Sequence, residues 1–187
     1  MRTVGKIASL ALVVLSLFLV SAGWAQAEGG ATGIAIGPYF GTSLGTGFLV
    51  GIDHDVSSNP SSRSATIVEF DYVGGLSGTQ NVALDAYNTA TLNYSGYSLY
   101  IGAGPKFLRN RFAFQLTAGF DYASLSVSGS DTLGETASES GSAFNYAFAP
   151  AISYSAGSGF SGVFKYLYTG APGTTGYLVG LNWSKPL

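Results

Sequence analysis

Large apolar residues alternate with small or polar residues along two neighbouring stretches, Arg111–Ser124 and Ala143–Ser155. In the first, the even positions from Phe112 to Tyr122 are mostly aromatic or aliphatic, and the odd positions are Ala, Gln, Thr, Gly and Asp. The second has the same arrangement, with Ala, Asn and Ser at its odd positions. A period of two places alternate side chains on opposite faces and predicts β-strands.

The sizes of the two faces indicate which one points inward. A closed barrel of about eight strands has an interior only wide enough for its side chains. Rings of Phe and Tyr would overfill that space, so the large face is expected to point outward, where only a bilayer suits it. We expect Tyr39 to lie in an aromatic girdle. The other residues assigned to the lipid-facing surface and its girdles are Phe112, Phe114, Phe120, Tyr122, Phe144, Tyr146, Phe148, Tyr154, Tyr166, Tyr168, Tyr177 and Trp183.

The N-terminal residues have the pattern of a secretory signal peptide. Arg2 and Lys6 precede the apolar run Ile7–Val20, and Ala25-Gln26-Ala27 has the small-x-small form of a cleavage site. The alternative is an anchoring helix, but the run is shorter than the roughly 20 apolar residues that a span needs. We therefore expect a signal peptide over residues 1–27, cleaved after Ala27, and a barrel domain over residues 28–187.

The composition narrows the function classes. Charged residues make up 10% of the chain, against about 25% in an ordinary soluble domain, while aromatic residues reach 14%. There is no Cys, which excludes disulfides and lipid attachment through a Cys, and with only one His no zinc cluster is expected. No basic patch suggests nucleic acid, and nothing in the sequence suggests a cofactor.

We predict eight antiparallel strands, which form an all-β, up-and-down transmembrane barrel. An even strand count puts both chain ends in the periplasm and makes the long connections Gly74–Ala90 and Val127–Gly141 mobile outer loops. Asp53–Ser64 is long for a periplasmic turn, so its side stays open. Besides the two stretches above, the strands are Thr32–Phe40, Leu44–Ile52, Ala65–Val73, Thr91–Phe107, Phe160–Thr169 and Thr175–Trp183.

Irregularities are expected at three positions within these strands. Leu92 and Tyr94 do not share a face with Tyr97, so we expect a bulge at Ser95-Gly96. Pro38 and Pro150 lack the N–H that a ladder needs, so we expect a bulge or a strand end at each.

The whole pattern resembles the small eight-stranded outer-membrane barrels of Gram-negative bacteria, the class of the OmpA transmembrane domain and OmpX. Thr174–Leu181 also looks like the signal that the barrel assembly machinery reads, although the chain continues past Trp183 to Leu187. The resemblance implies location in the outer membrane, contact with outer-membrane lipid, insertion by the assembly machinery and a lumen that passes little or nothing.

The strand parities place three acids and three bases on the inward face. Because an unpaired buried charge is very costly, we expect them to form an ion-pair network that plugs the lumen. The alternative is that some of them lie at the rims in water. The six residues are Glu69, Asp71, Lys106, Arg111, Asp121 and Lys165.

The only histidine, His54, lies between Asp53 and Asp55, with Ser57 nearby. A His with a carboxylate and a Ser is suitable chemistry for activating a nucleophile, so one interpretation is a lipid-modifying hydrolase. Neighbours on a strand point to opposite faces, however, so Asp53 is poorly placed to orient His54. A polar turn is the simpler interpretation, and we expect no catalytic residue here.

The function predicted from these features is non-catalytic: a monomer with a structural role, or with a surface-interaction role towards an unidentified partner through its outer loops. Three alternatives stay open: a narrow or gated channel, the hydrolase centred on His54, and a soluble secreted barrel of the lipocalin kind. Because the fold serves many functions, the sequence identifies no ligand.

Overall fold

The computed structural model describes residues 31–42, 45–59, 63–84, 88–157, 159–170 and 174–185. The expected signal peptide and its cleavage site lie outside these residues. Among them, no helix is long and apolar enough to cross a membrane. The described chain forms β1 (Thr32–Gly41), β2 (Gly45–Asn59), β3 (Ser64–Ala83), β4 (Thr89–Arg109), β5 (Phe112–Asp131), β6 (Thr136–Gly157), β7 (Phe160–Thr169) and β8 (Gly176–Lys185).

Each strand pairs antiparallel with the next, and β1 pairs with β8 to close the barrel. The eight-stranded up-and-down barrel is therefore confirmed. Closure satisfies the backbone groups that an open sheet would leave unpaired at its edges, which is the requirement for a strand structure in lipid. We call the end where β1 begins and β8 ends the terminal end, and the other the distal end.

Large apolar side chains cover the outside of the barrel, and small ones fill much of its interior. Phe120 is 65% exposed and Phe144 is 76% exposed, whereas Ala147 and Ala149 are buried. This arrangement is the reverse of a soluble lipocalin-like barrel, which would bury the large face. Of the residues assigned to the lipid-facing surface, Tyr122 and Tyr166 are half-buried and the other ten are exposed.

Tyr39 departs from the expected girdle. It is fully buried on the inward face of β1, and its hydroxyl donates a 2.5 Å hydrogen bond to the carbonyl of Thr174. The parity of β1 explains this position, since the exposed Ile36 and the half-buried Phe40 occupy the opposite face from Ala35 and Tyr39.

The two connections predicted as long outer loops are in fact tall hairpins. β3 continues to Ala83 before β4 begins at Thr89, and β5 continues to Asp131 before β6 begins at Thr136. The loop prediction was wrong. It relied on the high content of Ser, Thr and Gly in these segments, which is typical of loops, but here these residues continue the strands.

The predicted bulge in β4 was also wrong. β4 pairs with β5 without a register shift, and the irregularity lies in β3, between Val73 and Leu76, where Gly75 adopts a positive φ of 63°. Leu92 and Tyr94 simply lie on the inward-facing side of a continuous strand, beyond the point where the barrel needs small residues.

Neither proline ends or shifts a strand. Pro38 stays paired with Phe48, and Pro150 stays paired with Leu116. On the other side, partners are missing beside each proline, but the register continues unchanged. A missing N–H therefore interrupts one ladder at each proline without producing the expected bulge.

The segment whose side was left open belongs mostly to strands. β2 runs through Asp53 and His54 to Asn59, and β3 begins at Ser64. His54 pairs with Thr32 at the start of β1, so the end of β2 and the start of β3 lie at the terminal end.

A substitution at Gly119 of β5 tests how closely the backbones of β4 and β5 approach each other. A Cβ at Gly119 would lie 1.9 Å from the carbonyl oxygen of Ile101, whereas a Cβ at Gly162 would meet nothing within 4 Å. Because backbone cannot move aside cheaply, we expect Gly119→Ala to lower the free energy of unfolding by about 1–3 kcal/mol. Urea unfolding of the detergent-folded protein measures this, with Gly162→Ala as the matched control. Equal midpoints for the two variants would contradict the close approach.

Candidate functional site

The centre of the lumen holds a buried ion-pair cluster. The Nζ of Lys165 lies 3.2 Å from Oε1 of Glu69 and 3.0 Å from Oδ1 of Asp71. The two acids occupy alternate positions of β3 and therefore share its inward face, while Lys165 projects from β7 across the barrel. All three side chains are buried, with Lys165 only 4% exposed.

Hydroxyl groups extend this cluster across the barrel. The Tyr100 hydroxyl donates to Oγ1 of Thr117 at 2.8 Å, and that hydroxyl lies 3.3 Å from Oε1 of Glu69. Gly51 makes the room for Asp71, because a Cβ there would lie 2.1 Å from its Oδ1. A charged group and a small neighbour thus occupy the same level of the lumen.

A second cluster lies nearer the terminal end. Nζ of Lys106 lies 3.1 Å from Asp55 and 3.6 Å from Asp53. A cavity of about 280 Å³ lies beside it, lined by Lys106, Asp55, Arg111 and the partly orphaned Asn182. The lumen therefore has open space beside Lys106.

Arg111 and Asp121 do not join either cluster. Arg111 is exposed at the terminal end, where its Nη1 lies 3.5 Å from the Tyr154 hydroxyl. The buried Asp121 accepts hydrogen bonds from Ser98 and, at 3.4 Å, from Thr174. Among the described residues, neither has an ion-pair partner. The six residues expected in one network therefore separate into three groups. Lys165, Glu69 and Asp71 form the central triad, Lys106 pairs instead with Asp53 and Asp55, and Arg111 and Asp121 stand apart.

Sequence reasoning missed Asp53 and Asp55 because it placed them in a connection. Their spacing of two, in phase with Gly51, was the available signal that β2 continues. With them, the described lumen holds five carboxylates, those of Asp53, Asp55, Glu69, Asp71 and Asp121, against the ammonium groups of Lys106 and Lys165.

His54 and its two neighbouring carboxylates lie on opposite faces of β2. Nδ1 of His54 lies 3.0 Å from Oγ1 of Thr32, its register partner on the outward face. Asp53 and Asp55 lie on the inward face of the same strand, in contact with Lys106. The carboxylates therefore cannot orient the imidazole. In the described part of the chain, no group of three or more His, Cys, Asp or Glu residues is placed to hold a metal ion.

Four strands rise above the others at the distal end. We call residues 76–83, 89–96, 124–131 and 136–143, from β3 to β6, the upper wall. The neighbouring strands are shorter: β1 ends at Gly41, β2 starts at Gly45, β7 ends at Thr169 and β8 starts at Gly176. The upper wall is therefore an arc of sheet, not a closed ring.

The two faces of the upper wall differ in polarity. Apart from Ala83, its outward face consists of Ser, Thr and Asn side chains, and hydrogen bonds of 3.0 Å link Thr79 to Asn93 and Thr91 to Asn81. Its concave face, continuous with the lumen, carries the apolar residues Leu76, Val82, Leu92, Leu125 and Val127.

Charge is sorted along the barrel axis. The described acids of the upper wall and its turn are Asp131, Glu135 and Glu139, and no described Lys or Arg accompanies them. The backbone N–H of Glu135, together with groups from Asn88 and Leu133, holds the pKa of Asp131 below its usual range. This hairpin therefore keeps a negative charge in mildly acidic medium.

Comparison with solved structures identifies the fold. The outer-membrane protein Ail of Yersinia pestis, the attachment invasion locus protein, matches with a TM-score of 0.51 and 15% identity, over 84% of this chain and 99% of Ail. This chain has the fold of an outer-membrane β-barrel. The expected resemblance to the small eight-stranded barrels is confirmed at the level of the fold.

Other matches are more distant. Ail in a phospholipid bilayer nanodisc matches at 16% identity with a TM-score of 0.42, covering 84% of this chain and 100% of Ail. Neisserial surface protein A matches at 15% identity with a TM-score of 0.39, covering 84% of this chain and 96% of that protein. No protein-family model matches the sequence, and no curated protein matches it.

Because Lys165 is the only cation of the central triad, we expect Lys165→Met to lower the free energy of unfolding strongly. This change leaves Glu69 and Asp71 buried without their cation, and breaking a buried ion pair in this way costs about 3–5 kcal/mol. Lys106→Met is the matched control, because Lys106 lies in the more open cluster beside the cavity. Urea unfolding followed by gel mobility of unboiled samples measures both.

Charge neutralisation checks the cause. Adding Glu69→Gln and Asp71→Asn to Lys165→Met should restore part of the lost stability, because no buried charge then lacks a partner. Equal losses for Lys165→Met and Lys106→Met, with no restoration, would contradict the importance of the triad.

Proposed function

We propose that this chain is a non-catalytic integral protein of the bacterial outer membrane, whose upper wall is a surface for interaction outside the cell. The observation that carries the proposal is a change of polarity along one face. On the outward side of β5, the large residues end at Tyr122 and the hydroxyl residues begin at Ser124; on β6 the same change falls between Phe144 and Ser142. These residues are register partners across the two strands.

A change from large apolar to hydroxyl side chains at one height of the outward face is expected where a barrel leaves the membrane. Lipid requires an apolar outward face, and water allows a polar one. Since Tyr122 pairs with Phe144 and Ser124 pairs with Ser142, the two strands leave the apolar layer at the same height. The upper wall then projects into the medium, and the terminal end lies in the periplasm.

We also propose that the lumen is plugged by polar and ion-paired side chains. The central triad, Tyr100 and Thr117 fill one level of the lumen with hydrogen-bonded groups. A general porin needs a much wider barrel of about 16 strands. The proposed mechanism is thus a rigid anchor that displays a sheet, rather than a pore.

The biogenesis that we propose follows from the sequence. The signal peptide is removed after Ala27, outer-membrane lipid surrounds the barrel, and the assembly machinery inserts it as a monomer. The proposed interaction role rests on the upper wall of this chain, since the likeness to Ail shows the fold alone.

Site-specific labelling tests the orientation. The natural chain has no Cys, so an introduced Cys is the only thiol. We expect Ser138→Cys to react with a membrane-impermeant maleimide on intact cells, and Arg109→Cys to react only after the outer membrane is permeabilised. The reverse pattern would overturn the orientation. Recovery of the protein in the soluble fraction would overturn the outer-membrane location.

Planar-bilayer recording tests the plug against the channel alternative. We expect the natural protein to give no stable conductance, and Lys165→Ala to give none either, because Tyr100 and Thr117 still fill that level of the lumen. A folded Lys165→Ala variant with clear single-channel steps would favour a gated channel.

A further inference from the structure

We infer that the concave face of the upper wall binds an extended basic polypeptide segment, with a Lys or Arg side chain lying over Leu125 and Val127 and its cationic head on Glu139. This inference rests on the proposed surface-interaction function and names the chemical class of the partner. Four observations on the described residues carry it: a hollow, an acid at its side, a free strand edge and the sorting of charge.

The hollow lies on the concave face between β5 and β6. It has a volume of about 340 Å³, and the residues of the concave face that line it are Ala123, Leu125, Val127, Glu139, Gly141 and Ala143. Gly141 creates much of it: this residue pairs with Leu125, and a Cβ added there would meet nothing within 4 Å. The floor is thus apolar and open to the medium.

Glu139 gives the hollow its polarity. It pairs with Val127 across the two strands and is exposed. A carboxylate beside an apolar floor is complementary to a side chain with a long aliphatic stem and a cationic end, which is the chemistry of Lys and Arg. A purely apolar ligand would leave Glu139 unused, and an anionic one would be repelled.

The edge of β6 indicates that the ligand is a polypeptide. β6 pairs with β5 from Thr136 onward, but its first partner on β7 is Ala147 with Thr169. Between Thr136 and Asn145, no described strand pairs with the other edge, and every residue from Thr136 to Phe144 is exposed. This edge carries no Lys or Pro, the residues that commonly protect an edge, so its N–H and C=O groups are available to an added strand.

The charge of the surroundings selects a basic partner. Asp131, Glu135 and Glu139 are the described charged residues of the upper wall and its turn, and all are acidic. A second copy of this chain would bring like charges together at the same edge. A segment bearing Lys or Arg gains from the same field, which also raises the rate of association at low salt.

Binding of a synthetic peptide to the full-length mature protein in nanodiscs tests the inference. The probe is a short fluorescent peptide of alternating Lys and Thr, and fluorescence anisotropy measures its affinity. We expect saturable binding that Glu139→Gln weakens roughly tenfold, the scale for loss of one charge-assisted contact. Glu135→Gln removes the same charge from the turn of the hairpin and should change the affinity much less.

Two further comparisons test the hollow and the edge. Gly141→Leu fills the hollow and should abolish binding, whereas Ser140→Leu places the same side chain on the opposite face and should not. A probe that is N-methylated at alternate residues cannot complete a ladder and should fail to bind. Faster gel mobility of the unboiled sample verifies that each variant is folded.

The outcomes separate this inference from the proposed function. Absence of peptide binding to a protein that is labelled at Ser138→Cys on intact cells would overturn the inference and leave the proposed function in place. Equal binding of the N-methylated probe, or full competition by spermidine, would overturn strand addition and point to a small-cation site. Equal effects of Glu139→Gln and Glu135→Gln would overturn the role of the hollow.

Discussion

The narrow interior of an eight-stranded barrel is the constraint on which the rest of this structure depends. It admits small side chains and a limited number of larger ones such as Tyr39 and Tyr100, so most of the large aromatic residues lie on the outside. It also brings the charged residues that remain inside within contact of one another. Lys165 meets both Glu69 and Asp71 because no wide aqueous space separates β7 from β3. The large apolar outer surface and the buried triad thus have one geometric cause.

Glycine residues leave room inside the barrel for the buried carboxylates. Gly51 sits where any side chain would collide with Asp71, so a buried carboxylate and a missing side chain share one position of the lumen. The same relation holds between Gly33 and Asp53 nearer the terminal end. Charged groups are therefore accommodated inside by removing bulk from the neighbouring strand, while the outside of the barrel keeps its aromatic residues.

Sequence reasoning predicted the parts of this structure that a period of two controls. β7 was predicted with its observed bounds, and the outward faces of β5 and β6 follow directly from residues such as Phe112 and Phe148. The length of the β3–β4 and β5–β6 hairpins was not predicted. Their distal parts carry Ser and Thr on the outward face, and these polar residues were interpreted as loops although they belong to strands. The partition of the lumen charges also escaped prediction, since the shear that brings Lys106 to Asp55 rather than to Asp71 is not encoded in any local pattern.

The order of the strands has a consequence for how the barrel forms. Seven of the eight ladders join strands that are neighbours along the chain, and only the pairing of β1 with β8 joins distant segments. Local hairpins lose little chain entropy on closing, whereas the last ladder must bring together segments as far apart in the chain as Ile34 and Trp183. Closure of that single seam is thus the one non-local pairing of the barrel, and until it forms β1 and β8 each present an open edge to their surroundings.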